Sequence, residues 1–448
     1  MALDLTELAV VSKEVIEPSI TDLVEREPML YNLIPKGGDI NARGVFLYGK
    51  VEPNPSMGWF SEGGAYAVGS NSQRVKMNAT FARFNITSRL TRDALEGSDK
   101  NTIVNTVAEE VTDDIKSALR EISQQLYGDG SGTKGVVASV SSTNVTFRAG
   151  VSDLTPDVAN FGNSFGTYQL IKRGVYNFIA GSVRGTVASV GEVLVNSGNS
   201  DYTLNSITSG TVGAFDAVPT GNALADGDLI VSKGSYGLAI KGLDYHIDSG
   251  TGTYQNVSRS TYPALRCYVL NASNSALTVA MLYKIIFQAR YARRTNLTDG
   301  NYVILSAPTQ VQAYAILGDI STAGVNNDTT LNAMPDGKKL DFGFKTFSFA
   351  GMPWIEDIDC PPHKIFIINF SKFKIHEFKP LSKVYEGSGW MPVPASASAT
   401  TGNYSDNVLY TMTWKGQLCS KDPQLGGTKL DNLTVSSLAV PSSGYALS

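Results

Sequence analysis

Hydrophobic positions along this chain repeat with different periods in different stretches. In residues 3–25, Leu5, Leu8, Val11, Val15 and Ile16 fall near helical spacing, and Pro18 and Pro28 interrupt the pattern. A segment this short has no core of its own, so the spacing predicts a helical arm that docks on another surface. Residues 44–51 (GVFLYGKV) and 74–91 (RVKMNATFARFNITSRLT) alternate apolar and polar positions and predict strands. Between them lies a turn-rich stretch of Gly, Pro, Ser and Asn that carries the aromatics Trp59, Phe60 and Tyr66. Residues 44–80 therefore predict a long two-stranded ribbon with an apolar tip. A two-stranded ribbon is marginal alone in water, so this tip needs a partner surface in the same chain or another.

The strongest helical period follows. Ile103, Val107, Val111 and Ile115 recur every four residues, and Ala118, Ile122 and Leu126 continue the stripe, with Asp113, Asp114, Lys116, Arg120 and Glu121 largely off it. Ser98 or Asp99 caps the start, and Gly128 suits a left-handed stop. At ~1.5 Å per residue the predicted helix 99–127 is about 40 Å long, which reads as a structural spine. A shorter helix is predicted at 167–181 (TYQLIKRGVYNFIAG). Residues 185–265 then turn β-rich, with short strands in VASVGEVLV, GDLIVSKG, GLAIKGLDYHI and GTGTYQNVSRSTYPAL, and read as a small inserted β-domain. Residues 275–293 are helical, NYVILSA is a buried-type strand, and SAPTQVQAYAIL opens another helix. Strands return over 343–380. The Ser-, Ala-, Thr- and Gly-rich tail from 391 shows one strand, NVLYTMTWKGQLC.

Composition narrows the class. The 448 residues suffice for one large domain or two to three ordinary ones. Only 17% are charged, against roughly 25% in ordinary globular chains, which suits a protein that buries surface against neighbours. The net charge of −4 comes without a block of like charge, so no footprint for sequence-specific nucleic-acid binding exists. Cys267, Cys360 and Cys419 are far apart and odd in number, and read as free buried thiols. MALDLTELAV lacks the basic start of a signal peptide, and the longest apolar runs, such as IFII at 365–368, are too short to span a bilayer. The expectation is an intracellular chain outside the membrane.

Four candidate chemistries fail on context. Gly130, Gly132 and Gly135 match Gly-x-Gly-x-x-Gly, but a dinucleotide fingerprint sits after a strand and at a helix N-terminus. Here the glycines follow a helix C-terminus, where the dipole has the wrong sign for phosphate, so they read as a helix stop and a reversal into a strand. Gly162–Gly166 (GNSFG) matches a nucleophile elbow around Ser164, but LTPDVAN before it is a poor core strand. His246, His363 and His376 each lie in strand-like stretches without a paired acidic motif. Asp244 and Asp248 lack EF-hand spacing and read as a turn, and no metal site is evident. Sequons at Asn78 and Asn85 read as chance products of an Asn- and Thr-rich sequence. No cofactor is expected, and no enzyme.

The order of features resembles the major capsid proteins of tailed bacteriophages, an α+β fold of HK-97 type. Three stretches carry the resemblance. Residues 58–101 look like that family's extended loop and return strand, with a Trp-x-x-Glu-Gly-type tip at Trp59, Phe60, Ser61, Glu62 and Gly63. Residues 115–137 look like the end of its spine helix and a Gly-Asp-Gly turn. Residues 289–317 followed by 349–375 look like its late helix, strand and Gly-x-Pro hairpin.

The resemblance implies a shell subunit that forms hexamers and pentamers around DNA, in a virion assembled in the host cytoplasm. Portal, scaffolding and decoration proteins are its implied partners, with non-specific contact to packaged DNA and none to membrane. It implies an N-terminal arm (1–43), an extended loop (44–80) and a peripheral domain with the spine helix (81–140). An axial-domain part (141–184), the inserted β-domain (185–265) and a further peripheral/axial part (266–342) follow. Axial/peripheral strands (343–390) and a C-terminal strand and tail (391–448) complete the chain. Trp59, Phe60, Glu62 and Tyr66 on the loop, and Leu5, Leu8 and Val15 on the arm, become inter-subunit contact candidates. With Met1 leading directly into the arm, no scaffolding segment and no maturation cleavage are expected. Lys76 lies at the base of the ribbon, away from the tip, so inter-subunit crosslinking is not expected. The rival readings are an encapsulin-like compartment shell, which would hold a cargo enzyme in place of DNA, a β-rich tail or fibre protein, which would show repeats, and a hydrolase using Ser164.

Overall fold

The computed structural model describes residues 29–37, 44–66, 68–91, 106–148, 166–167, 169–181, 190–209, 211–220, 223–293, 302–322, 347–383, 390–394 and 404–434. The arm residues Leu5, Leu8 and Val15, the expected cap at Ser98 and Asp99, and Ser164 lie outside them. The chain forms two compact units. One holds residues 28–84, 121–380 and 414–448, and the other residues 1–27, 85–120 and 381–413.

Among the described residues, the larger unit shows three packed regions. The first is a six-stranded sheet in the order Val269–Ser275, Gly427–Leu433, Ile365–Ile368, Val303–Ser306, Met352–Glu356, Phe347–Phe349. Its first two strands run parallel, as do Val303–Ser306 and Met352–Glu356, and the other pairs are antiparallel. Helices Val279–Arg293 and Pro308–Thr322 follow sheet strands in the chain. Leu282, Ile285, Ile286, Ala289 and Val311 from these helices pack with Ile304, Trp354, Ile365, Ile367 and Leu430 from the sheet. The run IFII is continuous rather than alternating because both faces of its strand are buried. The polar-looking tail also supplies a strand that its pattern does not predict, Gly427–Leu433, wholly buried between two neighbours. Its Lys429 and Asp431 are accommodated by ion pairing. Lys364 Nζ lies 3.0 Å from Asp244 Oδ1 and 3.8 Å from Asp431 Oδ2, and Lys429 Nζ donates to Asp244 Oδ1. Asp244, expected in a turn, is thus the buried centre of a four-charge cluster.

The second region is a closed six-stranded barrel whose strands are drawn from 133–232. Phe147, Tyr176, Phe178, Tyr202, Leu204, Phe215 and Ile230 fill it, with Phe178 and Phe215 edge-to-face at 5.2 Å. This corrects two expectations. The expected domain boundary at 185 runs through the barrel. The helix expected at 167–181 is instead a turn at 172–173 followed by the strand Val175–Ile179. The turn requires Gly174, since a Cβ there would stand 2.7 Å from the Tyr176 hydroxyl and 2.8 Å from the Ile171 carbonyl oxygen. The alternation of Tyr176 and Phe178 then points both rings into the barrel core.

The third region roots the ribbon. The expected strand GLAIKGLDYHI is also corrected, because Leu243–His246 is a single helical turn. Its role is visible at the end of the long helix, Thr106–Gln125. Leu243 N–H donates to the Leu126 carbonyl at 2.7 Å and Asp244 N–H to the Tyr127 carbonyl at 3.3 Å, satisfying acceptors that a helix end leaves open. Gly242 is required by this close approach, since a Cβ would lie 2.2 Å from the Leu126 carbonyl oxygen. The left-handed residues of the turn are Gly130 and Gly132, at φ +95° and +78°, rather than Gly128. The chain then reverses into the strand Thr133–Ser141, as the sequence context of the glycines predicts.

In the smaller unit, the long helix contributes residues up to 120, with Ala118 buried and Ile115 partly exposed. Strand Trp390–Pro394 pairs antiparallel with the start of Tyr404–Ser420, in the register Trp390↔Tyr410. Ser88 Oγ donates to Asp114, and the hydroxyls of Thr87 and Thr411 lie 3.2 Å apart.

Candidate assembly surface

Strands Val45–Glu52 and Gln73–Ala79 form the predicted ribbon, in the antiparallel register Val45↔Ala79, Leu47↔Met77, Gly49↔Val75. Because side chains alternate, one face carries Val45, Leu47, Met77 and Ala79. All four are buried with Tyr254, Val257, Leu265 and Cys419. This cluster is the root, and Asn78 N–H adds a 3.0 Å bond to the Gln255 carbonyl. His246 lies beside it with Nδ1 2.8 Å from the Tyr254 hydroxyl and Nε2 3.0 Å from the Leu418 carbonyl, and burial lowers its pKa to about 3. It is a neutral structural histidine with both ring nitrogens occupied. Cys267, Cys360 and Cys419 are free and buried, as expected.

Full burial stops beyond Leu47, but half-buried Val75, opposite Gly49, still packs against the root. The remaining residues of the first strand, Lys50 to Glu52, carry the ribbon about 10 Å past it at ~3.3 Å per residue. Lys76 pairs opposite Tyr48, with its ammonium 4.2 Å from the centre of the Phe46 ring.

The tip has local order but no core. Gly64 N–H closes a turn onto the Ser61 carbonyl at 2.8 Å, with Glu62 and Gly63 between them. Gly63 takes φ +76°, which a side chain would resist at this position. Phe60 and Tyr66 meet edge-to-face at 4.9 Å. Asn54 Oδ1 accepts from Ser56 N–H at 2.9 Å, and Ser56 Oγ donates to the Val68 carbonyl across the loop. Trp59 is fully exposed at 105%, and Phe60, at 59%, Tyr66 and Glu62 are also exposed. The structure therefore brings the four loop candidates onto one projecting tip. Met57 and Val68 join them as exposed apolar residues not singled out from sequence. Their signal was present, since both sit among small and polar residues where no core period exists.

The chain is similar to a chain of the cyanophage A-1(L) capsid asymmetric unit, with 15% identity, a TM-score of 0.54, and coverage of 96% of this chain and 99% of the other. The chain has a phage major capsid protein fold. Similarity extends at lower scores to the capsid of a native GTA particle (10% identity, TM-score 0.45, 96% and 98% covered). It also extends to the holo-SrpI encapsulin complex of Synechococcus elongatus PCC 7942 (11%, 0.45, 98% and 98%). No protein-family model matches the chain, and no curated protein matches it. Within the capsid fold, the described helices include none long and apolar enough to cross a membrane.

Proposed function

We propose that this chain is the major capsid protein of a tailed double-stranded DNA bacteriophage, assembling into hexamers and pentamers that form an icosahedral head around the genome. The observation that carries the proposal is a ribbon rooted in a core yet ending in a fully exposed Trp59 beside Phe60 and Tyr66, on a chain with a capsid fold. Ordered apolar surface of this kind is unfavourable in water and favourable across an interface, where each Å² removed from water contributes roughly 25 cal/mol before association costs. Trp59, Phe60 and Tyr66 are the anchors, and Glu62 lies at the polar edge of the tip. Leu5, Leu8 and Val15 extend the contact through the arm. The role is structural, with the virion as its location and portal, scaffolding and decoration proteins as further partners.

The test is the mass of the purified full chain by light scattering, followed by negative-stain imaging. Capsomer-sized rings or megadalton shells are expected. A chain that stays at 47.9 kDa at high concentration and in lysate of infected host cells would remove the proposal. Shells that hold a cargo enzyme instead of DNA would replace the phage reading with a compartment.

A further inference from the structure

Helix Val279–Arg293 buries one face and leaves an aromatic ladder on the other. Leu282, Ile285, Ile286 and Ala289 lie in the core of the six-stranded sheet. Tyr283, Phe287 and Tyr291, one helical turn apart from each other, are 45%, 57% and 88% exposed, with Val279 a turn before them also exposed. The solvent-facing side of this helix thus carries an apolar stripe among polar neighbours such as Lys284 and Gln288. Two of the three rings are also held in place. Tyr283 stacks on Phe287 with centroids 6.1 Å apart and an interplanar angle of 19°, and Phe349 supports Tyr283 at 4.9 Å. Rigid, pre-ordered rings lose little entropy on binding, which favours a docking role over a floppy surface.

We infer that this ladder is a second self-association surface, covered by another copy of this chain. The inference rests on the capsid reading and extends it. A chain with a single self-complementary patch stops at a dimer or a ring; a closed shell needs at least two distinct interfaces per subunit. The ribbon tip supplies one. The ladder is separate from it, on a different core, and its rings expose about 400 Å² if each offers ~200 Å² when free. That is about half of the ~800 Å² that each partner contributes to a standard interface, leaving the remainder for a polar rim. Lys284 is exposed beside the stripe and the Arg290 guanidinium lies 5.7 Å from the centre of the Phe287 ring, so packaged nucleic acid is the rival occupant, and DNA-free assemblies separate it from a second copy.

The deciding experiment is hydroxyl-radical footprinting of the wild-type full chain, read by mass spectrometry, in DNA-free assemblies and in the dissociated subunit. Oxidation of Phe287 and Tyr291 should fall at least fivefold on assembly. Equal oxidation in both states overturns the inference, and so does protection found only in DNA-filled particles. In parallel, Phe287→Ser/Tyr291→Ser should raise the concentration needed for assembly at least tenfold, with an unchanged near-UV spectrum. If that variant fails to fold, the wild-type footprint decides alone. A wild-type chain that never assembles overturns this inference together with the capsid reading. Assemblies with an unprotected ladder overturn this inference only.

Discussion

Replacing the proposed tip anchors, Trp59→Ser with Phe60→Ser, should separate assembly from folding. Trp59 is fully exposed and Phe60 more than half exposed in the subunit, so neither contributes to a core that the substitutions would damage. Surface changes of this kind usually alter stability by no more than about 0.5 kcal/mol. For a chain of this size the thermal midpoint should therefore move by about 1 °C or less. Across an interface the arithmetic differs. A free Trp offers ~200 Å² and Phe60, at its observed exposure, about 100 Å². At ~25 cal/mol per Å², about 300 Å² corresponds to roughly 8 kcal/mol as a gross upper limit. Ordering and imperfect fit reduce this, and aromatic hot spots typically lose about 2–4 kcal/mol on truncation. Taking about 3 kcal/mol per contact, the dissociation constant of each contact rises about 150-fold. The assay is light scattering against protein concentration, with differential scanning calorimetry of the unassembled subunit. An unchanged onset of assembly would refute the reasoning. So would a subunit destabilised by several kcal/mol, which would mean that the rings cover the chain's own core.

Other outcomes follow from the interior. Gly242→Ala places a Cβ 2.2 Å from the Leu126 carbonyl oxygen, so the variant should lose about 2 kcal/mol or more as the cap on the long helix is forced apart; a urea midpoint within error of wild type would contradict this. Asp244→Asn removes the anion that Lys364 and Lys429 share and leaves buried ammonium groups underpaired, which should cost about 3–5 kcal/mol, measured by denaturant titration of soluble protein. The fold should also weaken on mild acidification. Burial lowers His246 to about 3 and His363 to about 4, from an ordinary value of 6.5, so between pH 6.5 and 4.5 the unfolded chain binds more protons. Stability is then fully present above about pH 6.5 and falls as pH drops, with a slope approaching two protons. A urea midpoint flat across that window would rule this out. Further loss is expected below pH 4, because burial alone would raise Asp244 but the two lysine ammonium groups hold it at about 2.

The ribbon, the long helix and the helix Val279–Arg293 are set by local period and turn chemistry, which the sequence carries by itself. Each is an extended, strongly patterned element. The alternation around Val45, Leu47, Met77 and Ala79 specifies which face is buried, and the absence of any period between Glu52 and Gln73 marks a tip without a core. The misplaced glycine fingerprint is legible in the same way, since helix polarity alone decides the sign of charge that Gly130 and Gly132 meet. Tertiary structure decided the rest. VYNFIAG became a strand because barrel closure needed Tyr176 and Phe178 facing inward, a non-local demand that outweighs short-range helical spacing. Gly427–Leu433 has the composition of a polar tail because Lys429 and Asp431 are tolerable in a buried strand only once Asp244 and Lys364, distant in sequence, arrive beside them. The aromatic ladder is likewise undecided by sequence: Tyr283, Phe287 and Tyr291 repeat at the same helical spacing as core residues, and only packing of the opposite face onto the sheet shows which stripe is left exposed.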